Sequence, residues 1–284
     1  MTMLDTLRQR HESAQDVSWK LKDALPDSRS FAALEYIDHS PIFRAVSENC
    51  VVQGDAETIW YAATAWWVSQ FAETELAALS LATELLDGPD IWPELKFNLA
   101  DQVGDEARHF EIFLQLSAEL PRQSCGTWFR RFETAVLESS DWRLRHLALS
   151  LILESQAIVN LRSLRTDLSF PKAAWAARLI LADEARHVAV GRAVAESWMK
   201  EASSEELRDA QEWILSLLRI VTNRYSEGPI LPKIGCSNLF ESSFASSLTS
   251  SGNVKILTGL QSLGVIDDDI RSEWEELLAI GEKI

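Results

Sequence analysis

Cysteine is scarce in this chain and never closely spaced. Cys50, Cys125 and Cys236 are odd in number and far apart. That excludes a rubredoxin-type or zinc-ribbon module and fits free thiols in a reducing compartment. Glycine and proline are few as well, 11 and 8 in 284 residues, which leaves room for long uninterrupted helices. Strand signals are nearly absent. Positive charge is in deficit: 27 Lys and Arg stand against 43 Asp and Glu, a net charge of −16. Nucleic acid and anionic membrane surfaces both demand Lys and Arg, so neither is an expected partner. Most of the acidic excess reads as solvated surface. No apolar run approaches the ~20 residues of a membrane span. The segment Met1–Lys20 is charged throughout and lacks the apolar core of a signal peptide. The expected location is the cytoplasm.

What is present is an ordinary globular composition, 46% hydrophobic and 25% charged, patterned for helices. The first 50 residues read as short helices punctuated by Pro26 and Ser40-Pro41. Asp55 is an N-cap for a long helix to Leu86, stopped by Asp87-Gly88-Pro89. Pro93 opens a second long helix to Leu120, and a shorter one comes next over Trp128–Glu138. A third long helix spans Trp142–Leu168, and Pro171 starts a fourth that lasts to Glu201. Ser203 with Glu206 forms a capping box for a helix to Tyr225. After Gly228-Pro229 the chain turns Ser- and Gly-rich, with two shorter helices expected at Val254–Leu263 and Asp268–Ile280. These signals predict an all-α protein: a bundle domain over 1–228 with its core at 55–200, and a helical extension over 229–284 packed upon it.

An internal repeat organises the core. Asp105-Glu106-Ala107-Arg108-His109 recurs letter for letter as Asp183-Glu184-Ala185-Arg186-His187, 78 residues later, and Pro93 and Pro171 stand at the same offset. A unit of two long helices thus occurs twice, which predicts pseudo-twofold symmetry and a four-helix bundle.

Glu and His three apart on a helix point the same way, one turn apart. Glu106 with His109, and Glu184 with His187, can therefore each grip one metal ion. A single pair of this kind is usually a surface feature, but two identical pairs in a helical repeat reverse that reading. On the third long helix Glu154 is the only acid between Asp141 and Asp167, set among leucines, isoleucines and alanines. Burying it alone would be costly, and a metal ion removes the cost. The first long helix offers Glu73 or Glu75. The helical neighbours of Glu75 are Val68, Phe71, Ala72, Ala78, Leu79 and Ala82, a face suited to a bundle interior, whereas those of Glu73 are mixed. Glu75 also lies 79 residues before Glu154, close to the repeat. Glu75 is the expected ligand.

Asp105 and Asp183 fit a supporting role, accepting the outer ring N–H of a ligating histidine. Arg108 and Arg186 fit either that supporting layer or a solvated face. His146 lies eight residues before Glu154, about 80° round an ideal helix, and reads as structural. His11 and His39 fall outside the motif helices. Trp66, Trp67, Phe71, Phe110 and Phe113 are candidates to line an apolar pocket beside the metals, with core packing as the plainer reading.

Over about residues 55–200 these motifs resemble the ferritin-like superfamily, in the branch with Asp-Glu-x-Arg-His motifs found in bacterial multicomponent hydroxylases and acyl-carrier-protein desaturases. The resemblance implies that Glu75, Glu106, His109, Glu154, Glu184 and His187 bind two irons, the ligand set known for such bundles. It also implies that Glu106 bridges together with Glu154 or Glu184. The diagnostic positions of the subfamilies differ here. Ala157 and Ile158 stand where the hydroxylases and desaturases carry a Thr. Ile180 stands where the di-iron arylamine N-oxygenases have an extra His, and Phe113 where the ribonucleotide reductase small subunit has its radical Tyr. Four carboxylates and two neutral imidazoles balance two Fe²⁺ ions, so such a site can be buried. The expected activity is O2-dependent oxidation of a small, partly apolar organic substrate, with an electron donor or reductase as partner. A manganese–iron pair, a homodimer, a ferritin-type ferroxidase and a metal-dependent module without turnover stay open at this point.

Overall fold

The computed structural model describes residues 20–27, 29–49, 54–121, 127–222 and 243–280. The three cysteines, His11, the 228/229 boundary and the end expected at Tyr225 lie outside them. Every regular element among the described residues is helical. In chain order these are α1 (Leu21–Ala24), a 3₁₀ turn (Leu34–His39), α2 (Pro41–Asn49), α3 (Ala56–Asp87), α4 (Pro93–Ala118) and α5 (Trp128–Leu137). Then come α6 (Trp142–Leu164), α7 (Pro171–Trp198), α8 (Ser204–Thr222), α9 (Ser243–Ser262) and α10 (Asp268–Ile280).

Local chemistry sets the helix starts. Asp55 accepts the Thr58 N–H at 2.8 Å to begin α3, and prolines open α4 and α7. Before α8, Ser203 N–H donates to Glu206 at 2.8 Å and Glu206 N–H donates back to Ser203 Oγ at 3.2 Å. The third long helix ends at Leu164, not Leu168. Beyond it, the Asp167 carboxylate accepts the Ser169 N–H at 2.9 Å and the Ser40 hydroxyl at 2.8 Å, and so fixes a turn in place of a further helical turn. The fourth ends at Trp198 rather than Glu201.

The first C-terminal helix starts at Ser243, eleven residues before the expected Val254. Its Ser-rich opening has poor intrinsic propensity, and packing of α9 against α2, α6 and α8 supplies what propensity does not.

The helices α3, α4, α7 and α6 pack in a closed ring, each on the next. The repeat governs their inward faces. All ten buried residues of α4, from Leu95 to Leu116, have a buried counterpart on α7 at the 78-residue offset. The pairs are not equivalent in shape, however. Phe113 corresponds to Gly191, and Gln102 to Ile180. Two apolar cores result, one around Trp60, Phe113 and Phe170 and one around Phe132, Ile152 and Leu217. Between them lies a layer of buried acids and imidazoles.

Within α6, residues Ala148–Leu153 form a π-helical stretch directly before Glu154. A π turn accommodates one extra residue and re-aims the side chains beyond it, and such turns gather at functional sites. Its packing depends on Gly191: a Cβ there would sit 2.2 Å from the Cβ of Ser150. Helix α6 also has enough length and apolarity to cross a membrane, with a mean hydropathy of 1.2 in its most apolar window, contrary to the sequence expectation. That window is 78% buried in the protein, as a core helix must be.

Replacing a helical Gly by Ala ordinarily stabilises by up to ~1 kcal/mol. Here the contact reverses the sign: Gly191→Ala should cost about 1–3 kcal/mol through overpacking, and Ser150→Gly in the same chain should recover most of it. Thermal unfolding of the single and double variants measures this. An unchanged or raised Tm for Gly191→Ala would refute the close approach.

Candidate metal centre

Each long helix delivers its acid at the same level of the bundle. Glu75 comes from α3, Glu106 and His109 from α4, Glu154 from α6, and Glu184 and His187 from α7; all six side chains are buried. They form two quartets in which the potential ligand atoms lie within 4.8 Å of one another. One is Glu75, Glu106, His109 and Glu184; the other is Glu106, Glu154, Glu184 and His187. Glu73 is only partly buried and belongs to neither.

Glu106 and Glu184 are common to both quartets, and their oxygens divide between the two imidazoles. Glu106 Oε2 lies 3.4 Å from His109 Nδ1 while Oε1 lies 3.2 Å from His187 Nδ1. Glu184 Oε1 lies 3.2 Å from His109 Nδ1 while Oε2 lies 3.4 Å from His187 Nδ1. Glu75 sits at 3.5 Å from His109 and Glu154 at 3.7 Å from His187. Glu184, like Glu106, faces both imidazoles, whereas Glu154 faces His187 alone.

Both histidines turn Nδ1 inward and Nε2 outward. His109 Nε2 meets Asp183 at 3.2 Å and His187 Nε2 meets Asp105 at 3.1 Å. A carboxylate oxygen accepts, so Nε2 carries a hydrogen and Nδ1 is the ring nitrogen turned toward the acids, where a proton or a cation can sit. Each motif's aspartate thus holds the other motif's histidine, a crossing that spacing within one helix does not reveal. Arg186 ties the pair together, donating to Asp105 at 2.9 Å and contacting Asp183 at 2.6 Å. Arg108 pairs with Asp105 from a partly exposed position.

Sequence reasoning misses two residues. Gln102, one turn before Glu106, donates from Nε2 to Glu106 Oε1 at 3.1 Å and Glu154 Oε1 at 2.7 Å. The only available signal is a Gln on the inward face, and its repeat partner is Ile180. The second is His146. The π turn removes about 100° of rotation between it and Glu154, so the 80° separation of an ideal helix does not hold. The imidazole is buried and neither ring nitrogen makes a hydrogen bond. Burial first, then the neighbouring His187, pushes it down to about 4, so it is neutral. It lines a small polar cavity with Asn98, Gln102, Asp105, Arg186 and His187.

Of the aromatic candidates, Trp67 and Phe71 line a cleft between α3, α5 and α6. Trp66 is buried in the core. Phe113 stacks on Phe71 with ring centres 4.7 Å apart, and Phe110 packs against the core edge.

The donor set fits metal ions. Glu75 Oε1, Glu106 Oε2, both oxygens of Glu184 and His187 Nδ1 are buried and make no hydrogen bond. That concentration of unmet polar atoms is expensive unless cations meet it. Without metal, protons must substitute. Burial raises Glu75 to about 8 and, with the charges of Glu106 and Glu184, raises Glu154 well above the carboxylate range. Burial opposes charge on both histidines, but the surrounding carboxylates outweigh it and raise them well above their ordinary value. Glu106 and Glu184, despite burial, are held low by the imidazoles. No family model matches the chain, and no curated protein matches it.

Four groups thus hold a proton at neutral pH, two acids and two imidazoles. Two divalent ions carry the same total charge, so their binding at pH 7 should release about four protons. Pulling pH down should weaken binding steeply. These folded-state values lie above those of the unfolded chain, so the metal-free protein should lose stability as pH rises through about 8. Zn²⁺ titration in weak buffer with a pH indicator measures the release; release of only about two protons would mean that Glu75 and Glu154 are already ionised.

Proposed function

We propose that α3, α4, α6 and α7 form a ferritin-like four-helix bundle holding two iron ions, and that the protein uses them to activate O2 against a small, partly apolar organic molecule. Hydroxylation, N-oxygenation, desaturation or oxidative C–C cleavage all fall within this reading. The observation that carries it is the pair of quartets joined by Glu106 and Glu184. Each of these acids presents one oxygen to either imidazole, and together they would hold two ions close to one another. A donor set of four carboxylates and two imidazoles suits iron; a manganese–iron pair would use the same donors. When bound, two ferrous ions supply a pair of electrons to O2.

The chain's own residues support this chemistry. Asp183 and Asp105 fix the imidazole orientations, and Arg186 pairs with both aspartates and holds them in place. Gln102 holds Glu106 and Glu154 in register. The apolar cores above and below exclude bulk water from the layer. A reductase or other electron donor is then the expected partner. The uncharged cleft beside the site favours a substrate-oxidising role over iron storage.

Ferrous reconstitution should give about two irons per chain. Glu154→Ala should lose at least one of them and Glu75→Ala likewise, while Glu73→Ala keeps both; elemental analysis after gel filtration checks this. Iron content unchanged in Glu154→Ala would remove that residue from the site.

Oxygen uptake by the ferrous protein should stop at a stoichiometry set by two irons unless a reductant is supplied. Continued iron uptake into a mineral, far beyond that stoichiometry, would overturn the oxygenase reading in favour of storage.

A further inference from the structure

The cleft beside the centre has a chemical character of its own. Its lining is Trp67, Gln70, Phe71 and Thr74 from α3, Trp128 from α5, and Gln156, Ala157 and Asn160 from α6. No charged residue is among them. The empty space is about 460 Å³ when the open solvent at its mouth is included.

The numbering along its two walls shows how it is oriented. Going from Glu75 to Phe71 to Gln70, and from Glu154 to Ala157 to Asn160, the lining steps away from the ligand level on both helices. At 1.5 Å per residue, Phe71 and Ala157 lie about 5 Å from that level, and Gln70 and Asn160 about 8–9 Å. By the same rise Thr74 and Gln156 lie nearest the ligand level and Trp67 about 12 Å from it, so polar groups and aromatic rings alternate along the cleft.

The amides have defined directions. Gln70 Oε1 accepts the Trp128 indole N–H at 3.4 Å, which leaves Nε2, buried and without a hydrogen bond, as a donor. Asn160 Nδ2 donates to the Gln156 carbonyl of its own helix at 2.8 Å, which leaves Oδ1 as an acceptor. Gly252 of α9 packs so closely on the Gln156 amide that a Cβ there would lie 2.2 Å from its Oε1. The C-terminal extension thus shapes this wall.

We propose that this cleft is the substrate subsite and takes an uncharged, planar aromatic molecule bearing a carboxamide-like edge. The carbonyl takes the Gln70 Nε2 donor, the N–H takes Asn160 Oδ1, and the ring lies among Trp67, Phe71 and Trp128. A carboxylate or an ammonium in the same place would lose its water with no opposite charge to replace it. The proposal rests on the reading of the centre as one that acts on a bound organic molecule.

Calorimetry and ligand-observed NMR on the metal-free, full-length protein test it with benzamide, benzoate, benzylammonium and cyclohexanecarboxamide. Benzamide should bind at least about tenfold more tightly than any of the others. Gln70→Glu keeps the acceptor for Trp128 and replaces the donor, so it should weaken benzamide about tenfold and strengthen benzylammonium. Ala157→Phe fills the cleft between Phe71 and the α6 wall and should abolish benzamide binding, with helical content by circular dichroism unchanged. Equal affinity for benzoate, no binding of benzamide, or unchanged binding in Ala157→Phe would each overturn the proposal. Iron content, measured separately, distinguishes the two readings. Selective benzamide binding without iron uptake refutes the metal centre alone, and two irons without benzamide binding refute the cleft alone.

Discussion

Four carboxylates and two imidazoles share a layer that water does not reach, and this layer imposes its demands on everything packed around it. Unneutralised, four such charges at these separations would cost far more than a domain's entire net stability. Protons or cations must fill the layer, and the structure arranges for either. The acids given to a single position, Glu75 and Glu154, are the ones whose protons are retained, whereas the shared acids, Glu106 and Glu184, lean on the imidazoles. The same division separates the acids that belong to one quartet from those that belong to both, so geometry and electrostatics sort the four acids alike.

The supporting shell explains why the motif is five residues long and not two. Asp and Arg flank the Glu-x-x-His pair so that each helix braces the other: Asp183 of α7 holds His109 of α4, and Asp105 of α4 holds His187 of α7. Arg186 closes the loop between them. Removing any one member leaves a buried ion short of its counterpart, a far larger penalty than a surface pair would carry.

The repeat supplies the frame, and its violations supply the chemistry. Phe113 fills space against Phe71, whereas its counterpart Gly191 opens space for the π turn of α6. Gln102 bonds two ligand acids, whereas its counterpart Ile180 bonds none. The surroundings of the two quartets therefore differ. The Glu154 and His187 side meets Gln102 and a small polar cavity containing His146. The aromatic cleft lies one turn beyond Glu75 and Glu154 toward the other apolar core.

The helical class, the starts of the long helices and the six converging side chains are legible in the sequence alone, because each is written in local spacing. Asp55, Pro93 and Pro171 mark beginnings; the duplicated motif marks one face of two helices; and an acid isolated in an apolar stretch marks Glu154. The choice of Glu75 over Glu73 comes from the same periodicity. Which acids are shared is a tertiary matter, because it depends on how far each side chain reaches across the bundle. So are the crossing of aspartates between motifs and the amide bridge from Gln102, contacts between helices that share no sequence signal. The π turn belongs here too: its residues read as ordinary apolar helix, and the extra residue is tolerated only because Gly191 stands opposite Ser150. His146 is misplaced in a sequence reading for the same reason, since a phase computed along one helix fails once a neighbour changes the winding. Helix α9 begins earlier than its composition suggests because Ser and Gly lack helix propensity, and the bundle surface that offsets this cost exists only after folding.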